Sequence, residues 1–319
     1  MEKRLFELGP LGPPNLGEIQ AFWPRACPLH PLTPDLLAER LFDSGTAEPE
    51  LALAARDDAG DLVGLAVGVF PCMGAAQGGI RWLAVAPGRL GQGIEAALLD
   101  ALCARLAERG AERVRLMGTP PYYLRPGIDT REMGLLSALL DLGWTHEQTH
   151  FNMTVELDTW QPPGDAAAQD PEPDVRGYHV RRATAADREA FARYMAERWT
   201  LNWRDESLQA FQHDPISLFL ALKGEEIAGF AAYEVSQCLG GFGPTGVSPE
   251  HRGAGLGRRT LWACLESLKA AGREVCEIGW VGPAPFYYRA CGARLGPCYW
   301  LLSKEIKDFA TGRGAAGGG

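Results

Sequence analysis

One stretch near residue 250 combines glycines, arginines and a helical apolar pattern in a way that could bind an anion. The residues in question are Val247, Pro249, Arg252, Gly253, Gly255 and Gly257. Glycine lets backbone N–H groups approach a ligand closely, and the first turn of a helix carries N–H donors without intrahelical partners. Together with the positive end of the helix dipole, such donors form a site that most often holds phosphate. The spacing therefore predicts a phosphate-binding turn between a strand and a helix.

Two common phosphate-binding motifs do not fit this stretch. The phosphate-binding loop of nucleotide hydrolases ends in Gly-Lys-Ser/Thr, whereas Arg258 follows Gly257 here, so that motif is excluded. A dinucleotide fingerprint has Gly-x-Gly-x-x-Gly directly after a strand. The spacing here is Gly253-x-Gly255-x-Gly257, and the segment Pro-Glu-His-Arg at 249–252 lies between the strand and the glycines, so the fingerprint fits poorly.

The stretch instead resembles motif A of the GNAT (Gcn5-related) acetyltransferases, whose Arg/Gln-x-x-Gly-x-Gly/Ala turn holds the pyrophosphate of coenzyme A. The resemblance implies acetyl-CoA as the cofactor. It also implies that backbone N–H groups of a splayed strand, residues 245–247, polarise the thioester carbonyl. By this resemblance the cofactor-binding residues are Thr245, Gly246, Val247, Arg252, Gly253, Ala254, Gly255, Leu256, Gly257 and Arg258.

Two adjacent tyrosines follow the motif on a predicted short helix. In many family members the proton donor to the leaving thiolate is a tyrosine four residues before a glycine, and Tyr288 stands four before Gly292. Tyr287 is the second candidate, and the alternative is that both rings only pack. A phenol with a pKa of about 10 suits the role. A general base is not evident: Glu234 and Glu277 lie on or beside predicted strands, and a water chain would serve as well.

Two tryptophans are further candidates in this half, whereas the histidine of the turn is not proposed for a role. Trp199 and Trp203 stand where the family places its substrate-side loop, so they either stack on a ligand or belong to the core. His251 lies in the glycine-rich turn and is expected to be solvated there.

The first half of the chain contains a second copy of the motif. Its members Val85, Pro87, Gly91, Gly93 and Gly110 each stand 162 positions before an identical residue of the second half. An offset that is held over this length indicates a tandem duplication.

The first copy departs from the motif at three positions. Leu90 replaces the motif arginine, Glu95 replaces the last glycine, and Leu139 stands where the tyrosine is expected. A carboxylate repels phosphate and a leucine cannot donate a proton, while Arg89 offers a partial replacement for the lost cation. We therefore expect the C-terminal copy to be the transferase and the N-terminal copy to be degenerate.

The apolar patterns predict the elements that position these residues. Predicted strands in the first half are 5–8, 51–55, 62–70, 80–85 and 151–157, with helices 19–25, 35–42 and 133–142. Predicted strands in the second half are 178–182, 218–222, 227–235, 274–281 and 299–306, with helices 184–198 and 284–291 and a motif helix that ends at 271. The resemblance implies the fold class α/β, as two tandem GNAT folds that each have a mixed, mostly antiparallel central sheet flanked by helices.

The length of 319 residues favours two domains. We expect an N-terminal domain at 1–157 and a C-terminal domain at 176–309. A polar stretch rich in proline, at 158–175, is expected to link them, and the glycine- and alanine-rich tail at 310–319 is expected to be disordered.

The composition restricts the partners. The formal net charge is −9 and no basic stripe stands out, which argues against nucleic acid. The eight cysteines include no Cys-x-x-Cys pair, so neither a metal site nor a disulfide framework is expected. No long apolar segment or secretory signal is evident, so the expectation is a cytoplasmic protein without a membrane partner.

The function predicted by the resemblance is acetyl-CoA-dependent N-acetyl transfer to a primary amine by direct attack. The acceptor is a small-molecule amine or a peptide amine of unknown identity, and the oligomeric state is open. One alternative is a non-catalytic, regulatory protein that binds acyl-CoA. A second is a structural pair of domains without a cofactor.

Overall fold

The computed structural model describes residues 5–43, 48–72, 74, 76–119, 123–162, 173–235 and 239–307. The chain forms two compact units: unit 1 comprises Met1–His150 and Cys298–Gly319, and unit 2 comprises Phe151–Pro297. Most of the predicted linker (163–172), the predicted tail at 310–319 and Cys238 lie outside the described residues.

Unit 1 is built on a mixed sheet. Its strands are β1 (Phe6–Pro10), β2 (Ala52–Asp57), β3 (Leu62–Val69), β4 (Gln77–Val85), β5 (Arg113–Leu116), β6 (Ile128–Asp129) and the end of β13 (Arg294–Glu305). Its helices are α1 (Leu16–Ala26), α2 (Pro34–Ala38), α3 (Ile94–Glu108) and α4 (Met133–Asp141). The strand order is β1-β2-β3-β4-β5-β13, with β6 also on β13. The β4–β5 pair is parallel and the other pairs are antiparallel.

Unit 2 repeats this plan. Its strands are β8 (Tyr178–Arg182), β9 (Leu218–Lys223), β10 (Glu226–Tyr233), β11 (Gly241–Val247), β12 (Val275–Ile278) and the end of β7 (Thr145–Glu156). Its helices are α5 (Arg188–Arg198), α6 (Leu201–Gln209), α7 (Leu256–Ala270) and α8 (Ala284–Cys291). The strand order is β8-β9-β10-β11-β12-β7, and β11–β12 is the parallel pair. The predicted α/β fold of two mixed, mostly antiparallel sheets is confirmed.

The helix that follows each glycine motif anchors the core of its unit. Leu98, Leu102 and Leu106 of α3 recur every four residues, so they share one face and are all buried. In α7, Leu261, Leu265 and Leu268 are spaced four and then three residues apart, so they also share one face, and all three are buried. Burying one such side chain contributes roughly 2 kcal/mol, which fixes each helix, and the glycine turn before it, against the sheet.

Each unit receives its last strand from the other half of the sequence. The pairs from Leu302 to Glu305 of β13 join β5 in unit 1, whereas those from Met153 to Glu156 of β7 join β12 in unit 2. The structure therefore places 151–157 with the second unit and 298–307 with the first, in contrast to the predicted boundaries. Each terminal strand pairs antiparallel with the second strand of a parallel pair, which is β12 for β7 and β5 for β13. The side-chain pattern of a strand does not by itself specify which of these two strands it joins.

None of the helices in the described part of the chain is both long and apolar enough to cross a bilayer.

Candidate active site

The sheet of unit 2 opens between β11 and β12. These parallel strands pair at Gly241–Glu277 and Phe242–Ile278, and the Gly279 N–H then reaches the Phe242 carbonyl at 3.3 Å. Within the described residues, no β12 residue pairs with positions 243–247. The other edge of that segment stays paired with β10, so residues 245–247 form one wall of a cleft.

A β-bulge lies at the point where the two strands part. Ala231 pairs with Thr245 and Tyr233 with Phe242, so two residues of β11, Gly243 and Pro244, stand opposite one residue of β10. A bulge bends its strand and re-aims the backbone groups that follow it. It therefore helps to turn residues 245–247 away from β12.

The glycine turn leads directly from this strand into α7. Gly253 and Gly255 have φ angles of +81° and +80°, a left-handed conformation that favours glycine. Gly255 is the N-cap residue, and its carbonyl accepts the N–H groups of Arg258 and Arg259 at 3.1 Å each. In the described chain, the N–H groups of Leu256 and Gly257 have no such acceptor. The structure thus has the predicted order of strand, glycine turn and helix, and leaves N–H donors at the start of α7 without intrahelical partners.

The arginines around this turn have different partners. Arg252 is exposed, and its Nε donates to the Val247 carbonyl at 3.3 Å. The Arg258 guanidinium lies 5.3 Å from the centroid of the Trp262 ring. Arg259 is paired with Asp174 at 3.2 Å, and burial lowers its pKa. Of these three arginines, Arg252 and Arg258 are exposed beside the turn, whereas Arg259 is half-buried.

His251 is not solvated, in contrast to the expectation from sequence. Its ring is buried, with Nδ1 at 3.1 Å from the Tyr178 hydroxyl and Nε2 at 3.2 Å from a Glu226 carboxylate oxygen. These contacts tie the turn to β8 and β10. Histidine in a turn gives no sequence signal of burial, because the two partners are distant in the chain.

The two candidate tyrosines differ sharply in exposure. Tyr288 is 66% exposed, whereas Tyr287 is 7% exposed and packs edge-on against Phe242 and Phe286 at 6.2 and 5.0 Å between ring centroids. Burial is the main reason that the pKa of Tyr287 is raised, with Cys291 and Cys276 adding to it. An exposed phenol can exchange a proton with a ligand, so Tyr288 is the better placed of the two.

Glu234 lies away from the cleft. Its carboxylate accepts the Gly240 N–H at 2.7 Å and the Arg273 Nε–H at 2.8 Å, and its own N–H bonds to the Gly241 carbonyl at 2.7 Å. Gly241 begins β11 and Val247 ends it, so roughly 20 Å of strand separate this cluster from the end of the splayed segment. The structure therefore gives Glu234 a place in a turn rather than beside the reacting groups.

Glu277 supports the point where β12 leaves its neighbour. Its carboxylate accepts a hydrogen bond from the Asn152 side-chain amide Nδ2 at 2.5 Å, and the side-chain oxygen Oδ1 of Asn152 accepts the Trp280 N–H at 2.8 Å. Trp280 has a φ of +47°, which is rare for a bulky residue and marks local strain. Sequence reasoning missed Asn152, because it arrives on a strand from the first half.

The tryptophan pair stands against the splayed strand. The rings of Trp199 and Trp203 are stacked with centroids 5.5 Å apart, and the Trp199 ring also meets Phe230 edge-on at 5.6 Å. A Cβ placed on Gly246 would lie 2.3 Å from the Trp199 ring. The indole is therefore part of a packed wall directly beside residues 245–247.

Comparison with known proteins agrees with this geometry. The model of the acetyltransferase (GNAT) family matches the chain twice, over residues 18–122 and 183–293. The chain therefore belongs to the GNAT family of acetyltransferases, which confirms the family and the enzyme class predicted from the sequence.

One curated relative is a mycothiol acetyltransferase of Thermobispora bispora, 31% identical over 185 residues. That match covers 47% of this chain and 63% of the relative, so it spans less than two thirds of that protein.

Solved structures show the same tandem fold. A GCN5-related N-acetyltransferase from Sphaerobacter thermophilus aligns with a TM-score of 0.65 at 19% identity, covering 96% of this chain and 97% of its own. A tandem GNAT protein from the clavulanic acid biosynthesis pathway aligns with a TM-score of 0.67 at 19% identity, covering 94% of this chain and 98% of its own. A glucosamine N-acetyltransferase region of a fungal multidomain β-N-acetylglucosaminidase aligns with a TM-score of 0.68 at 20% identity. The alignment covers 95% of this chain but only 38% of that one. These likenesses establish two GNAT folds in one chain.

Proposed function

We propose that unit 2 is an acetyl-CoA-dependent N-acetyltransferase in which a primary amine attacks the thioester directly. The observation that carries the proposal is that the open edge of β11 runs straight into the donor-rich turn of α7. The strand therefore supplies a wall for the reacting carbonyl, and the turn that follows it supplies a site for phosphate.

The donor set of the turn fits the pyrophosphate of coenzyme A. In this proposal the backbone N–H groups of residues 253–257 donate to the phosphate oxygens. A Cβ on Gly253 would meet nothing within 4 Å, so open space adjoins the turn at that glycine. Arg252 adds a cation at the mouth. Acetyl-CoA supplies the activated acetyl group, and this turn orients it.

The remaining roles fall to residues along the cleft. Backbone N–H groups within 245–247 hydrogen-bond to the thioester oxygen, where negative charge develops during attack. The Tyr288 hydroxyl donates a proton to the departing thiolate. The attacking amine must be neutral, and water in the open cleft can take its proton, because neither Glu234 nor Glu277 is free of structural contacts.

The acceptor is a primary amine, and the names of two relatives suggest where to begin. One relative is named for mycothiol and another for glucosamine. An acceptor panel should therefore start from amino sugars and thiol-bearing amines, and extend to polyamines, peptide N-termini and peptide lysines.

The test is release of free coenzyme A thiol from acetyl-CoA in the presence of each amine. The proposal expects at least one amine to accelerate release by orders of magnitude over the rate without amine. Saturable acetyl-CoA binding with no acceleration across the panel would favour the alternative, a non-catalytic acyl-CoA-binding regulatory protein.

A further inference from the structure

The glycine turn of unit 1 keeps the conformation of its counterpart. Gly91 and Gly93 have φ angles of +77° and +85°, close to the +81° and +80° of Gly253 and Gly255. Helix α3 begins directly after Gly93, as α7 begins directly after Gly255. The backbone of unit 1 is therefore still arranged to bind an anion at a helix N-terminus.

The opening of the sheet is also retained in unit 1. The β4–β5 pairing ends at Gly79–Arg115 and Ile80–Leu116, and the Met117 N–H reaches the Ile80 carbonyl at 2.8 Å. Each of these positions is 162 residues before its equivalent at the mouth of the unit 2 cleft. The duplication thus preserved the place where the two strands part.

A side chain of the protein itself is bound in this turn. Glu95 Oε1 accepts the Gly91 N–H at 2.8 Å, and the residue is only 3% exposed. Its second oxygen, Oε2, is buried with no hydrogen-bond partner among the described residues. A carboxylate on a glycine-turn N–H, in the first turn of a helix, makes the interaction that a phosphate oxygen would make.

We infer that the turn of unit 1 is a latent phosphate-binding site whose internal ligand is the Glu95 carboxylate. The Glu95 carboxylate occupies the N–H donor of the turn, and this occupancy, rather than charge repulsion at a distance, excludes a phosphate ligand. Arg89 does not compensate for the lost arginine, because it is held by Asp57 at 3.2 Å and by Gln92 at 3.4 Å. The inference rests on the proposed function in one respect, that unit 2 binds the pyrophosphate of acetyl-CoA through the equivalent turn.

The test counts acetyl-CoA sites by titration calorimetry on the full chain. The wild type should bind one equivalent, and Glu95→Ala should bind two, the second more weakly because Leu90 stands where Arg252 stands. Alanine is a mild replacement, because it keeps the Cβ that Glu95 already has and introduces no new atom. Glu95→Gly is the second variant, in case the first folds poorly. Glu108→Ala, at the exposed end of the same helix, is the charge-matched control and should still bind one equivalent of acetyl-CoA.

A third variant separates occupancy from repulsion. Glu95→Gln removes the charge but keeps an oxygen that can accept the Gly91 N–H, so occupancy predicts that it stays at one site. A second site in Glu95→Gln would overturn the internal-ligand inference, and so would a count in Glu95→Ala and Glu95→Gly that does not exceed the wild type. No site in the wild type would contradict the proposed function, whereas one site gained by Glu95→Ala would still support this inference.

Discussion

The indole N–H of Trp262, on α7, donates a hydrogen bond of 2.7 Å to the backbone carbonyl of Ala290, on α8. Trp262 lies on the helix that begins at the proposed phosphate-binding turn, and Ala290 lies two residues beyond Tyr288. The bond therefore connects the helix proposed to orient the cofactor to the helix that carries the proposed proton donor. Trp262 is a positioning residue in this account and does not touch the reacting atoms.

Replacing Trp262 by Phe should separate catalysis from cofactor binding. The variant removes the N–H but retains a ring beneath Arg258, and losing one buried hydrogen bond costs about 1–2 kcal/mol of stability. We expect kcat to fall several-fold with little change in the KM for acetyl-CoA, measured by thiol release. Trp144→Phe, a buried tryptophan of unit 1, is the control and should leave kcat unchanged. Equal kcat in the wild type and Trp262→Phe would remove the positioning role.

The neighbouring tyrosines offer a matched pair of variants. Tyr288→Phe should lower kcat by about 10²-fold, since a positioned proton donor contributes on the order of 10²–10⁴ in rate. Tyr287→Phe removes a hydroxyl whose ring is packed between Phe242 and Phe286, so kcat should stay within about three-fold of wild type. Steady-state kinetics on the most active amine decides between them. The reverse ranking would assign the donor role to Tyr287.

Gly246 should tolerate no side chain because of Trp199. A Cβ at this position would lie 2.3 Å from one ring atom and 2.6 Å from another, and a rigid indole cannot retreat by rotating a flexible end. We expect Gly246→Ala to lower the free energy of unfolding by about 1–3 kcal/mol in urea titrations. Gly282→Ala, where a Cβ meets nothing within 4 Å, is the control and should be close to neutral. An unchanged urea midpoint for Gly246→Ala would show that the tryptophan wall is not rigid.

The Asp187–Arg181 pair should make stability depend on pH at the acid end. Two hydrogen bonds of 2.7 and 2.8 Å join the groups, and the Arg181 side chain is the main reason that the pKa of Asp187 is lowered to about 2. A carboxylate with a lowered pKa stabilises the fold above its unfolded pKa of about 4 and loses that contribution as pH falls toward 2.

Asp187→Asn should therefore be less stable than the wild type by about 1 kcal/mol at pH 7, after allowance for partial exposure of the pair. The difference in free energy of unfolding should shrink between pH 4 and pH 2. Chemical denaturation at a series of pH values measures it. A difference that stays constant down to pH 2 would exclude the ionised carboxylate as its source.

Much of the local structure was readable from the sequence. The strand at 178–182 and the short helix at 284–291 have the predicted bounds, because apolar periodicity and nearby prolines and glycines mark both. The glycine turn and its copy were predicted for the same reason, since left-handed backbone requires glycine. The last strand was predicted at 299–306 but spans Arg294–Glu305, because its exposed first residues lack an apolar pattern.

What the sequence could not predict depends on contacts between distant residues. The exchange of β7 and β13 between the units brings Asn152 to Glu277, and no spacing motif encodes that contact. Glu234 was a candidate base because it follows a strand, yet its own φ of +55° turns it toward Arg273. His251 was expected to be solvated and is buried, because Tyr178 and Glu226 close over it.

The most direct test of the central claim, that unit 2 holds the acetyl-CoA site through its glycine turn, is calorimetric titration of the wild type and Gly257→Glu. This substitution introduces at the unit 2 turn the carboxylate that occupies the unit 1 turn. We expect one equivalent of acetyl-CoA to bind the wild type and none to bind the variant, with both proteins equally folded by circular dichroism. Two equivalents in the wild type, or retained binding in the variant, would contradict the account.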